Sequence, residues 1–287
     1  MKEKTLLSLL LDSSLISRTT PLKIYNIKRV DCGDYVQYFI LKNTRSRKKE
    51  GYEKEKKPLI YSHDYDIEKI IQTGTIEQKN LIRSRNEMCR LILANEGMFK
   101  TFITLTFKEN ITDLEYANNQ FAKWTRQIKR KSPNFQYVAV PEFQKRGAVH
   151  YHLLTNIDYS NYDVICQNEK RIWKPESETW KIFKTLKYWS HGFTSAIDVT
   201  DEKYDVARYM AKYMIKDADN RLFGKRRYLY SLGLKRPKTT YLNDELEHER
   251  LKVESDFKKY GVKFTKTYKD YFGNDVQFIE IKKEQTT

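Results

Sequence analysis

Glu142, His150 and His152 are the residues of this chain best suited to share a metal ion. Between them, Lys145-Arg146-Gly147 reads as a three-residue hairpin loop, with glycine at the left-handed position that such loops favour. Closing that loop pairs residue 144 with 148, 143 with 149 and 142 with 150. Glu142 then faces His150 with β-carbons about 4.5–5.5 Å apart, and the two-residue period of a strand puts His152 on the same face. One carboxylate and two imidazoles converging from adjacent strands make a half-shell for a divalent cation. The same three residues would also suit a plain polar sheet face. Two histidines with one carboxylate occur in non-haem iron oxygenases as well, so the ligand set leaves the reaction open.

A second group lies on Arg208-Tyr209-Met-Ala-Lys212-Tyr213-Met-Ile-Lys216. At about 100° per helical residue, Tyr209 and Tyr213 fall about 40° apart, flanked by Lys212 and Lys216 on one side and by Val206, Met210 and Met214 on the other. The tyrosines thus border a buried stripe and a basic one. A free phenol, with a pKa of about 10, is a poor nucleophile at neutral pH, and nearby ammonium charge or a metal-polarised target lowers the barrier. The alternative is a pair of core-edge tyrosines beside snorkelling lysines. Taken together, the hairpin, the tyrosine helix and a basic chain fit metal-assisted transfer of a phosphodiester to tyrosine.

The elements that must position these groups are readable in outline. Phe99 to Phe107 is rich in β-branched and aromatic residues and predicts a strand. A capping box, Thr112 with Glu115, opens a helix whose Leu114, Ala117, Phe121, Trp124 and Ile128 repeat at helical spacing, and Ser132-Pro133 ends it. Strands from Phe135 to Glu142 and from Ala148 to Ile157 form the hairpin. After a polar connection, Trp180, Phe183, Leu186 and Trp189 predict a helix closed at Gly192. Phe193 to Val199 is a further strand, and Thr200 caps the tyrosine helix, expected to run to about Lys216. This order predicts an α+β domain, an antiparallel sheet with helices packed on it.

The domain is placed at 78–237, opening with a helix over 78–96 that Arg83, Arg85 and Arg90 keep basic. Residues 1–77 form an N-terminal addition with strands over 22–30 and 35–41 and a charged loop from Lys42 to Lys57. Residues 238–287 form a C-terminal addition, a charged helix over 244–257 and a hairpin over 262–271 and 275–281.

The 287 residues carry 54 Lys and Arg against 38 Asp and Glu, a net charge of +16, with 21 tyrosines. That balance points to a polyanionic partner, and the aromatic content favours nucleic acid over a membrane surface. Trp173, in the predicted loop Arg171 to Pro175, is placed to stack on a base. Lys225, Arg226 and Arg227 form a basic loop for phosphate, or a solvated turn, and Lys145, Arg146 and Arg208 add cationic candidates. Cys32, Cys89 and Cys166 are scattered and odd in number, which argues against a disulfide framework or a cysteine zinc site and fits a reducing cytoplasm. The apolar run near Met1 is short and lacks a cleavage site, and no stretch approaches the roughly 20 apolar residues of a bilayer span.

At these residues the chain resembles the HUH endonucleases, named for His, hydrophobic residue, His, and among them the rolling-circle replication initiators of small phages, plasmids and single-stranded DNA viruses. His150-Tyr151-His152 matches the HUH motif, and Glu142 matches the position of the third ligand. Phe102 to Phe107 resembles the family's first motif, Tyr209 to Lys216 is similar to its two-tyrosine motif, and Arg226 to Pro237 to a segment that follows it. The resemblance covers about 78–237. It implies a ferredoxin-like core of about five strands and Mg²⁺ or Mn²⁺ held by Glu142, His150 and His152. It further implies attack by Tyr209 or Tyr213, with Lys212 and Lys216 as phosphate or phenolate partners, to give a 5′-phosphotyrosine and a free 3′-hydroxyl. The implied partners are single-stranded or hairpin origin DNA in a bacterial host. A separate helicase and DNA polymerase are implied too, since the chain has no Gly-x-x-x-x-Gly-Lys-Ser/Thr loop. Relaxases and transposases share these motifs. A non-catalytic repressor or packaging factor would use the same side chains as a stacking surface.

Overall fold

The computed structural model describes residues 22–48, 75–158, 166–174, 179–199, 205–215, 220–222, 224–270 and 273–283. In chain order these form β1 (Leu22–Cys32), β2 (Tyr35–Lys48), α1 (Ile76–Leu93), β3 (Thr101–Thr106), α2 (Leu114–Lys131), β4 (Tyr137–Phe143) and β5 (Val149–Thr155). There follow β6 (Cys166–Lys174), β7 (Thr179–Leu186), β8 (Thr194–Asp198), α3 (Val206–Ile215), a 3₁₀ turn (Asn220–Leu222) and β9 (Leu229–Tyr230). The chain continues through β10 (Lys238–Leu242), α4 (Glu247–Tyr260), β11 (Phe264–Lys269) and β12 (Asp275–Lys282). Two compact units result, one of 31–36, 58–238 and 283–287, the other of 1–30, 37–57 and 239–282. The fold is α+β, as expected.

The first unit is built on the antiparallel sheet β8-β3-β5-β4-β9. β3 and β4 run parallel with β5 between them, so α2 is the crossover that joins them. Strand alternation sorts β3 cleanly. Ile103, Leu105 and Phe107 enter a core with Leu114, Ala117, Phe121, Trp124 and Ile128 of α2, while Phe102, Thr104 and Thr106 take the opposite face. Tyr151 stacks on Phe121 on the α2 side, and its hydroxyl donates to Asn118. Its neighbours His150 and His152 therefore point to the other side.

The hairpin has the expected register. Glu142 pairs with His150 and Phe143 with Val149, the Gln144 amide donates to the Ala148 carbonyl at 2.8 Å, and Gly147 has φ +94°. The helix cap differs from expectation. Asp113, not Thr112, caps α2, its carboxylate accepting from the amides of Glu115 and Tyr116 at 2.8 and 3.3 Å. Thr75 and Gln78 form a reciprocal capping box at α1. Arg85 and Arg90 of α1 are buried, so they do not make that helix a basic surface.

The largest correction lies at Trp180 to Trp189, expected as a helix. Thr179–Leu186 is strand β7, paired with β6 in a separate two-stranded sheet with Trp173 opposite Trp180. The three-residue spacing of large apolar side chains imitates a helical stripe, but Thr179, Ile182 and Thr185 with the aromatic residues favour a pleated ribbon once β6 supplies a partner. Trp173 accordingly sits in a strand rather than a loop. The helix start expected at Thr200 and its end at Lys216 lie outside the described residues.

In the second unit, segments distant in sequence share one sheet, β10-β1-β2-β12-β11. The charged stretch expected to loop from Lys42 continues β2 to Lys48, and 49–57 lies outside the described residues. α4 docks through Val253 and Phe257, the latter edge-on to Tyr38 at 4.9 Å. Beneath it, Asp256 accepts from Tyr38 and from Arg29 Nε. Among the described residues no helix is long and apolar enough to cross a membrane.

Candidate active site

The face of β3, β4 and β5 opposite α2 carries Phe102, Thr104, Glu142, His150 and His152, and α3 lies against β4 and β5 there. α3 is held from behind by α1. Its Ala207, Met210, Ala211 and Met214 are buried, and Cys89 Sγ of α1 reaches the Ala207 carbonyl at 3.6 Å. With the apolar stripe committed to α1 and the sheet, Tyr209 and Tyr213 fall at its edge.

Both tyrosines reach the hairpin face. The Tyr213 ring stacks on His152 with centroids 3.8 Å apart and planes at 21°. Its hydroxyl donates to the Tyr209 hydroxyl at 2.7 Å. Phe102 packs against all three rings, at 5.9 Å from His152, 4.9 Å from Tyr209 and 5.7 Å from Tyr213. Burial pushes the Tyr213 phenol well above its ordinary pKa, reinforced by the Tyr209 hydroxyl and by the nearby Glu142 carboxylate. At neutral pH it is a protonated donor.

Glu142 is directly opposite His150, yet its carboxylate turns diagonally. Glu142 Oε2 lies 2.6 Å from His152 Nε2, and the other ring nitrogen, Nδ1, is 3.3 Å from Thr104 Oγ1. The two histidine rings are 6.0 Å apart. Burial, and then the neighbouring His152, lower the pKa of His150 to about 4 against an opposing pull from Glu142. His150 is therefore the neutral imidazole that metals bind, and its Nε2 is buried without a hydrogen-bond partner.

Among the described residues no group of three His, Cys, Asp or Glu side chains stands assembled for a metal ion, because Glu142 is engaged with His152. The donor types still suit a divalent cation, and an orphaned imidazole nitrogen beside a carboxylate is a buried polar atom that calls for a partner. A cation there would take over the Glu142 oxygen now given to His152.

The remaining candidates are dispersed. Lys212 is exposed next to the tyrosines, Lys216 lies outside the described residues, and exposed Arg208 pairs with Asp205 at 3.4 Å. Lys145, Lys225 and Arg226 are exposed, whereas Arg227 is buried at 7% exposure. The Arg146 guanidinium donates to the carbonyls of Phe107 and Lys108 and to Gln144, so it ties the hairpin loop to the end of β3. Arg221, from the turn after α3, grips the same loop through the Gly147 carbonyl at 3.3 Å and covers the Phe143 ring at 3.6 Å. Trp173 is 43% exposed on β6. Phe102 and Thr104 were not singled out as site residues. The period-two alternation of Phe102-Ile-Thr-Leu-Thr-Phe107, with one side apolar throughout, carried the signal.

The part of the chain that holds the hairpin and the tyrosine helix is that of a Rep-type replication protein: residues 100–218 match the Replication-associated protein family of the ORF2 type. A curated relative is the Phasyl DNA replicon protein arp of Escherichia coli, 28% identical over an alignment covering 45% of this chain. The alignment spans 46% of the relative, about half its length. No solved structure matches the chain.

Proposed function

We propose that this chain is a replication initiator that cuts and rejoins single-stranded origin DNA through a tyrosine, leaving a 5′-phosphotyrosine and a free 3′-hydroxyl for a polymerase. The observation that carries the reading is the stack of Tyr213 on His152 at 3.8 Å, with the Tyr209 hydroxyl 2.7 Å from that of Tyr213. It supports two phenols and a histidine–carboxylate pair serving one phosphate.

Glu142, His150 and His152 would hold Mg²⁺ or Mn²⁺, which when bound neutralises charge on the non-bridging oxygens of the scissile phosphate. The attacking phenol oxygen forms the new bond to phosphorus while the bond to the 3′ oxygen breaks, and that oxygen takes up a proton as it leaves. The phenol proton passes to solvent. Tyr213, a protonated donor, stabilises a Tyr209 phenolate through their hydrogen bond, and exposed Lys212 adds a positive charge beside the pair. Lys216 would extend that charge. Because the phosphotyrosine ester keeps the bond energy, rejoining needs no ATP. The second tyrosine serves a second transfer while the first is occupied. Lys145, Lys225, Arg226 and Arg208 would contact phosphates, and Trp173 a base. Strand separation and extension fall to a separate helicase and polymerase of a bacterial cytoplasm.

The test tiles the origin region of the encoding element as end-labelled single-stranded oligonucleotides and incubates them with the protein and Mn²⁺. A denaturant-resistant adduct is expected, lost in the Tyr209→Phe, Tyr213→Phe double variant. DNA binding with no adduct on any oligonucleotide would instead establish a non-catalytic binding protein.

A further inference from the structure

We propose that Thr104 is a positioning residue for the cation site, holding His152 in the tautomer that a divalent ion requires. The inference rests on the proposed metal role of Glu142, His150 and His152. Thr104 is the cross-strand partner of His152, and its Oγ1 lies 3.3 Å from Nδ1, the ring nitrogen turned away from Glu142.

His152 Nε2 faces a carboxylate oxygen at 2.6 Å, an acceptor, so Nε2 carries a proton in this state. A cation binding at Nε2 needs its lone pair. The Nε2 proton then leaves to solvent, and the imidazole keeps its proton on Nδ1. That proton needs an acceptor in a site where His152 is only 7% exposed and water has little access. The threonine hydroxyl, with one O–H and two lone pairs, meets the need by rotation about its C–O bond.

The backbone fixes this contact firmly. β3 lies between β5 and β8, with Thr104 opposite His152 on one side and Ser195 on the other. Stacking on Tyr213 at 3.8 Å restrains the His152 ring plane as well. Thr104 therefore touches no substrate and acts only through His152.

Mn²⁺ is titrated calorimetrically into the full chain, its Thr104→Val and Thr104→Ser variants and a His152→Ala control, with thermal melts confirming that each is folded. Valine keeps the shape and removes the hydroxyl, and serine restores it. Thr104→Val is expected to weaken Mn²⁺ binding about 10- to 100-fold, with Thr104→Ser staying close to the parent. Wild-type affinity in Thr104→Val overturns the role of Thr104 and leaves the metal reading standing. An equal loss in both variants also overturns it, since the methyl group would then be what matters. Absence of Mn²⁺ binding by the parent chain, or binding unchanged by His152→Ala, brings down the metal reading and this inference with it.

Discussion

Replacing Phe102 by leucine should disable the site more than it destabilises the fold. Phe102 is 4% exposed and is the common neighbour of His152, Tyr209 and Tyr213. Leucine keeps most of the buried apolar area, so the main loss is the ring contacts, worth about 0.5–1.5 kcal/mol each beyond burial. Since one ring makes all three, the total should approach about 3 kcal/mol without strict additivity. For a domain of this class that is a fall in melting temperature of about 6–12 °C. Phe121 is a matched control on the opposite face of the sheet. It is 1% exposed and contacts Tyr151 at 4.5 Å, Tyr137 at 5.4 Å and Trp124 at 6.0 Å. Phe121→Leu should lose similar stability while Tyr209 and Tyr213 stay in register with His152. Adduct formation, measured well below both melting temperatures, should drop about 100-fold in Phe102→Leu, the cost of misplaced reacting groups, and little in Phe121→Leu. Equal adduct yields from the two variants, or a normal yield from Phe102→Leu, would refute the claim that Phe102 registers the tyrosines on His152.

Two further outcomes follow from the same geometry. The folded-state pKa of His150, about 4, lies below its ordinary value of about 6.5, so the unfolded chain takes up the proton first. The stability conferred by keeping His150 neutral is full above about pH 6.5 and is lost as pH falls toward about 4. Melting temperatures of His150→Gln should accordingly fall less steeply over that interval than those of the parent, and parallel curves would contradict the assignment. At Gly192 a β-carbon would overlap Lys108 N and Thr106 O, both backbone atoms, whereas at Gly224 it would meet nothing within 4 Å and only the φ of +72° opposes it. Gly192→Ala should cost about 3 kcal/mol and Gly224→Ala about 1 kcal/mol. A denaturation midpoint for Gly192→Ala no lower than that of Gly224→Ala would show that the bend at 192 relaxes freely.

The hairpin of Glu142, His150 and His152 was legible in the sequence because a three-residue loop with a left-handed glycine sets register locally. The same holds for the tyrosines, whose four-residue spacing alone puts them on one side of a helix, and for α2, whose apolar period recurs without interruption. Regions that depend on a distant partner were not legible. β7 carries a spacing that fits either period until β6 lies beside it, and β9 is two residues long and exists only because Val138 and Ala139 offer an edge. Arg85 and Arg90 look like surface charge until the fold buries them. β1, β2 and β12 come from opposite ends of the chain and meet in one sheet.

The local code therefore determined which chemical groups this protein owns and which of them share a strand face or a helix face. Tertiary structure alone decided that α3 lies across β4 and β5, that Tyr213 stacks on His152, and that Glu142 turns to His152 instead of the His150 opposite it. The physical reason is that strand and helix periods are properties of the backbone within a few residues. The approach of one element to another and the rotamers at their contact depend instead on the whole packed core.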